Sequence, residues 1–160
     1  MDGMNGIDRR EEPAREAAEI VEGNRYMVLG TADGDGVPWV SPVYFAADGL
    51  RRFLWVSKPG ARHSRNLAGR AEVSIVVFDS SVPIGQGRGL YMTGVAREAA
   101  AEELIESIEV FSRQVQEHGG AAWVVDDVGP SSRHRLYRAD VDHHWVLDDR
   151  DERVPFSPGR

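Results

Sequence analysis

The fifteen residues FLWVSKPGARHSRNL, Phe53 to Leu67, gather the residue types that hold anions. An apolar run ends at the hydroxyl of Ser57, and a turn with Pro59 and Gly60 follows. Lys58, Arg62, His63, Ser64 and Arg65 then crowd cations and hydroxyls around the start of a short helical turn. A helix start aims backbone N–H groups at an anion, and arginine adds two-pronged charge-assisted bonds. The chain holds 18 Arg and one Lys, and that Lys is Lys58. Phosphate binding is the chemistry this pattern suits, with a solvated basic loop as the alternative.

The surrounding sequence must position that cluster. Six strands are predicted: Tyr26–Ala32, Val37–Ala46, Arg52–Ser57, Glu72–Phe78, Leu90–Glu98 and Arg135–Leu147. Asp33-Gly34-Asp35-Gly36 and Asp48-Gly49 mark turns between them. Pro38 and Pro42 fall inside the second strand and cannot donate to a ladder, which points to an edge or a bulge. Helical periodicity is expected from about Glu11 to Gly23, with Pro13 in the first turn. It returns over residues 98–118, where Leu104, Ile108, Phe111 and Val115 form one apolar stripe and Gly119-Gly120 ends the helix. Residues 121–132 read as irregular, pinned by Trp123. In the last strand, Tyr137, Ala139, Val141, His143, Trp145 and Leu147 fall on one face. Arg138, Asp140, Asp142 and His144 fall on the other, read as a solvated acidic face rather than a metal site. The expected fold is mainly β, a six-stranded antiparallel barrel with helical additions. Residues 1–10 are expected to be disordered, 11–147 to form one domain, and 148–160 to be an exposed acidic tail.

The totals restrict function. A net charge of −7 argues against a general nucleic-acid or anionic-membrane binder. With no cysteine, disulfides, thiolate catalysis and Cys-ligated metals are excluded. The longest apolar run is far below membrane-spanning length. MDGMNGIDRREEP lacks the apolar core of a signal peptide, so a cytoplasmic protein is expected. Ser41 has no identifiable base beside it, so a Ser–His–Asp hydrolase is not expected. Gln86-Gly87-Arg88-Gly89 lacks the strand-then-helix setting of a dinucleotide loop and reads as a connection. Trp39, Trp55 and Trp123 are read as core.

From Tyr26 to Leu147 the sequence resembles the pyridoxamine 5′-phosphate oxidase-like, FMN-binding split β-barrel family. The resemblance is carried most specifically by Phe53, Trp55, Ser57, Arg62, His63, Asn66 and Leu67. It implies a split barrel and a homodimer with FMN at the interface. It further implies that Ser57, Arg62 and His63 hold the FMN phosphate, with Val56, Lys58, Ser64 and Asn66 close by. The strand carrying Val40, Ser41, Pro42 and Val43, up to Tyr44, would lie along the flavin ring. The strand ending in Gly94 matches one supplied by the second subunit. Gln86, with Arg88, would approach the partner's flavin, and Trp145 would stand next to the ring. The implied activity is that of an FMN-dependent oxidoreductase taking electrons from a reduced donor to a small-molecule acceptor. The second basic residue is commonly Lys in this family and is His63 here, which would bind phosphate best when protonated. The substrate-holding Arg-Leu-His-x-Arg of true pyridoxamine phosphate oxidases is replaced by LDDRDERVPF, so the resemblance bears on fold and cofactor rather than on vitamin B6 oxidation. Alternatives on the same barrel are a deazaflavin, whose acidic tail Arg88, Arg133 and Arg135 would meet, a non-catalytic flavin-binding protein, and haem with His143 as axial ligand. No general acid or base is assigned.

Overall fold

Residues 12–159 are described by a computed structural model of the chain. The N-terminal residues expected to be disordered lie outside that range. Helix α1, Glu12–Gly23, turns Ala17 and Ile20 inward. Strand β1, Tyr26–Ala32, alternates so that Met27, Leu29 and Thr31 face the core. Its hairpin to β2, Pro38–Tyr44, is tied by Asp33, whose Oδ1 accepts from the backbone N–H of Asp35 at 3.0 Å and of Val37 at 2.9 Å. Gly36 supplies the left-handed residue, φ 84°, that this turn needs.

The second predicted strand is two. After Tyr44 the N–H of Phe45 donates to Arg25 O at 3.1 Å, and the chain leaves β2 for β3, Ala46–Asp48. Then follow β4, Arg52–Ser57; α2, Arg62–Gly69; β5, Glu72–Phe78; and β6, Gly89–Glu98. A 3₁₀ turn at Ala101–Glu103 leads into α3, Leu104–Glu117. The fold ends with β7, Arg135–Leu147, and β8, Arg153–Phe156. The predicted helix over 98–118 is shortened at its start because Glu98 still pairs with Tyr137 in the sheet.

All strand pairs are antiparallel, in the order β2-β1-β5-β6-β7-β4-β3, with β8 on the second half of β7. Strands β2 and β3 stand at opposite ends of this path, yet Phe45 alone joins them. The sheet must therefore curl until its ends meet, which makes it a split barrel. Pro38 and Pro42 accordingly sit on an end strand of the path, where no second neighbour needs their missing N–H. The interior is filled by Phe53, Trp55, Met27, Leu29, Ile75 and Met92, all essentially inaccessible. The α3 stripe covers the outer face instead: Ile108 and Phe111 pack on Ala46, Leu54 and Leu136. Gln114 closes the exposed edge of β3, donating to Ala47 O at 2.7 Å and accepting from its N–H at 2.9 Å. Trp123 does pin this segment: its backbone N–H donates to Ser112 Oγ at 2.8 Å, and its ring packs on Phe111.

Two expectations near the C-terminus are corrected. The tail is not simply extended: Asp148 Oδ1 accepts from the N–H groups of Arg150 and Glu152, both at 2.9 Å, turning the chain back so that β8 pairs with β7. The faces of β7 are not continuous either. Thr93 of β6 pairs with His143 and Gly94 with Val141, so Asp142 is an extra residue in β7, a β-bulge. Before the bulge Tyr137, Ala139 and Val141 point inward; after it His144 and Val146 do. His143 and Trp145 share a face, but it is the outer one, and Asp140, Asp142 and His144 do not share a face at all. His144 is 2% exposed, with Nε2 2.6 Å from Leu50 O.

On the outside of β7, buried Arg138 joins Glu103 at 2.7 Å and also pairs with Asp140. Glu103 is held down to about 2, first by its bonds to Arg97 and then by the Ala100 N–H and Arg138. Among the described residues no helix is long and apolar enough to cross a membrane.

The bulge rests on Gly94. A Cβ there would press into Asp140 O and lie 2.9 Å from Val141 Cα. Overpacking against backbone costs about 1–3 kcal/mol or more. Gly94→Ala is therefore expected to lower the melting temperature by about 2–12 °C, measured by calorimetry against Gly34→Ala, a site with open space around it. Equal melting temperatures would mean that β6 and β7 do not approach this closely.

Candidate functional site

Ser57 ends β4, and α2 starts after the Pro59-Gly60 turn. From the first turn of α2, His63 reaches between two hydroxyls. Its Nε2 lies 2.8 Å from Ser57 Oγ and its Nδ1 3.2 Å from Ser41 Oγ on β2. Ser41 Oγ also accepts the indole N–H of Trp39 at 3.0 Å. The Arg62 guanidinium stands over that indole, 4.5 Å from the ring centre. Three elements thus bring Trp39, Ser41, Ser57, Arg62 and His63 into one patch, with Lys58 exposed in the adjoining turn.

The start of α2 has an unmet need. Its N-cap is Ala61, which gives no side-chain hydrogen bond, and its first turn holds no acidic residue. The leading N–H groups of a helix have no partner within it, and alanine is a poor cap. Two hydroxyls, a guanidinium and uncapped amides are a donor set that fits a phosphate.

Two sequence readings change here. A base does stand beside Ser41, namely His63. It is oriented by Ser57 rather than by a carboxylate, so the trio is not a Ser–His–Asp relay. Trp39, read as core, is 40% exposed on the patch; Trp55 is core and Trp123 packs on Phe111. Nothing local in the sequence separates Trp39 from a core tryptophan.

Other candidates do not join the patch with their side chains. Val40 and Pro42 are exposed on β2, while Val43 is buried in the barrel. Val56 packs under α3, on the face opposite Ser57. Ser64 and Asn66 are buried; Asn66 Nδ2 donates to Thr31 Oγ1 at 3.0 Å, fastening α2 to β1. Gln86 and Trp145 are far away. Ser57 pairs with Arg135, and Trp145 stands ten residues further along β7, a path of about 33 Å at full extension. Gln86 and Arg88 lie at that same far end, where Leu90 pairs with Val146. Arg88 there bonds Glu19 at 3.1 Å. Arg135, at the Ser57 end, is spent on the carbonyls of Ser132, His134 and Pro130. The arginines considered for an acidic cofactor tail are therefore not gathered within one chain.

The family model described as pyridoxamine 5′-phosphate oxidase matches residues 14–145. The chain belongs to this family. Solved structures share the fold at low identity. The haem storage protein HutZ of Vibrio cholerae is 21% identical over 80% of this chain and 89% of its own, with a TM-score of 0.65. A haem-binding protein of Mycobacterium smegmatis is 20% identical over 90% of this chain and 57% of its own, TM-score 0.72. A Clostridium acetobutylicum protein related to general stress protein 26, of the pyridoxinephosphate oxidase family, is 16% identical over 94% and 96%, TM-score 0.65. No curated protein matches the chain.

Within this pyridoxamine 5′-phosphate oxidase family member, His63 carries the least ordinary electrostatics of the patch. Burial pushes its pKa below the usual 6.5. The imidazole is thus neutral at pH 7, and a bound anion would favour its protonation. The linkage has a definite sign. As pH falls through 6.5 the unfolded chain takes a proton that the folded site resists, so stability present above that pH is lost below it. His144 and His118 are shifted the same way, both first by burial. Denaturant titrations at about pH 7.5 and about pH 5.5 should therefore show wild type losing more stability on acidification than His63→Gln. Equal losses would mean that His63 is not buried in the free protein.

Proposed function

We propose that the protein is an FMN-binding oxidoreductase, working as a homodimer with a cofactor site at each end of the interface. The observation that carries this reading is the Ser57–His63–Ser41 bridge beside the uncapped start of α2 and the Arg62 guanidinium. In this reading the phosphate takes hydrogen bonds from Ser57, from the α2 amides and from Arg62, which leaves its place over Trp39. Strand β2 is an end strand, with Trp39 40% and Val40 64% exposed, and its backbone edge suits the polar rim of a flat ring. Bound flavin would supply the transfer of hydride or electrons from a reduced donor to a small organic acceptor or oxygen. The protein's part is to bind, orient and exclude water.

The placing of these residues supports a homodimer. Ser57, Arg62 and His63 occupy one end of the barrel wall, while Gln86 and Trp145 occupy the other. A second copy related by a two-fold axis would bring the far end of one chain to the near end of its partner. Exposed Tyr26, at 62%, with Trp39 and Val40, gives such an interface apolar area.

A second reading, haem binding, is favoured by one feature. Exposed His143 stacks on Trp145 at 5.9 Å, and its Nδ1 lies 2.9 Å from Asp142 Oδ1. A carboxylate on Nδ1 leaves Nε2 free to ligate and orients it, the usual support of a metal-bound imidazole. Two of the structural neighbours named above are haem proteins.

The two readings separate in one set of measurements. The double variant Arg62→Ala/His63→Ala is expected to weaken FMN binding more than about tenfold, since charge-assisted bonds contribute roughly 1.5–3 kcal/mol each. His63→Lys, which carries its charge at every working pH, should bind FMN at pH 7.5 at least as tightly as wild type. Unchanged FMN affinity in the double variant would remove the phosphate from this patch. A Soret band on haem addition that disappears in His143→Ala would favour the haem reading instead.

A further inference from the structure

A cavity of about 390 Å³ lies under the C-terminal half of α3, on the outer face of the barrel and away from the Ser57–His63 patch. Five rings run round it in sequence. His118 and Tyr44 stand 6.0 Å apart at 76°, Tyr44 and Phe111 5.8 Å at 84°. Phe111 and Trp123 stand 6.0 Å apart at 81°, Trp123 and His134 5.8 Å at 85°. Each ring presents its edge to the face of the next, the arrangement in which aromatic pairs attract beyond their burial. Val56 and Val115 complete the lining with aliphatic surface.

The wall is fixed before any ligand arrives. Tyr44 Oη and His118 Nδ1 are 2.8 Å apart, the Trp123 backbone N–H donates to buried Ser112 Oγ, and the Trp123 ring packs between Phe111 and His134. No Asp, Glu, Lys or Arg lines the cavity, in a chain that is 28% charged. Burial also keeps the proton on Tyr44 and pushes His118 toward its neutral form. With Nδ1 engaged, His118 Nε2 is the ring nitrogen left to meet a carbonyl or hydroxyl oxygen. A preformed apolar cavity with one or two polar atoms, in the range of about 300–1,000 Å³, is the form of a small-molecule site. An ionised ligand would find no oppositely charged partner in this lining.

We propose that this cavity binds an uncharged planar aromatic molecule of one or two fused rings. This binding does not depend on the flavin reading.

The test uses three probes of one shape on the full-length protein: 2-naphthol, 2-naphthalenesulfonate and 2-naphthyltrimethylammonium, followed by calorimetry and ligand-observed NMR. Expected is saturable binding of 2-naphthol, at least about tenfold tighter than either charged probe, a difference of about 1.4 kcal/mol. Val115→Trp, which fills the cavity, should abolish it and leave FMN binding unchanged. Preference for the ammonium probe would overturn the proposal in favour of a cation cage, and preference for the sulfonate would overturn it outright. No saturation by 2-naphthol in wild type would also overturn it, whatever the variant does. Protein that takes 2-naphthol but not FMN would keep the cavity and remove the flavin reading; the reverse would remove the cavity alone.

Discussion

The pairing of β7 with three different strands is the constraint on which the rest of the fold depends. One edge of this 13-residue strand carries β6 along its length, and the other is shared between β4 and β8. Because β4 leads on to β3, and β3 is joined through Phe45 to β2, the position of β7 decides that the sheet closes. It also decides where Ser57 ends, and hence where α2 begins. The Ser57–His63 patch is therefore not a property of a flexible loop. It is set by the register of Ser57 with Arg135 and by the Asn66 amide, which donates to the Thr31 hydroxyl and fastens α2 to β1.

The bulge at Asp142 divides β7 into two functional halves. Before it, the inward face continues the barrel core through Tyr137, Ala139 and Val141. After it, the inversion buries His144 and sends His143 and Trp145 outward. Without the extra residue His143 and Trp145 would fill the interior, and the outer surface at that end would carry no aromatic pair. Gly94 makes this possible because nothing larger than hydrogen fits opposite the displaced backbone. A packing detail of two strands thus governs which chemistry the far end of the molecule can offer to a cofactor or to a second copy.

Much of this was legible because it follows from period and punctuation. The strand runs of β1, β4 and β5, the Asp-Gly turns and the Leu104–Val115 stripe are local patterns, and the structure keeps them. The clustering of Ser57 with His63 was legible from residue type, and the neighbouring strands fall where expected. What was hidden depends on pairing across the sheet. In VDHHWVL the extra residue lies among polar side chains that suit either face, so the alternation reads unbroken. Its signature is a glycine on another strand. Val154 and Phe156 were masked by the acidic residues before them, although Asp148 to Glu152 serve as the turn. Val37–Ala46 reads as one strand because the N–H of Phe45 changes partners without any change in composition.

Electrostatics unites the two candidate binding regions despite a net charge of −7. At the patch, hydroxyls and a neutral imidazole line the interior while Arg62 and Lys58 remain at the rim. This spares the free protein the cost of burying a cation without an anion beside it, and an arriving negative charge would favour protonation of His63. The cavity under α3 carries the same economy further, since no ionised group enters its lining at all. The patch and the cavity lie on opposite sides of the barrel wall, Ser41 on one face of β2 and Tyr44 on the other. In the readings proposed above, that separation would let one strand serve an anionic ligand and an uncharged one, because the desolvation cost that would exclude each from the other's site would also keep the two apart.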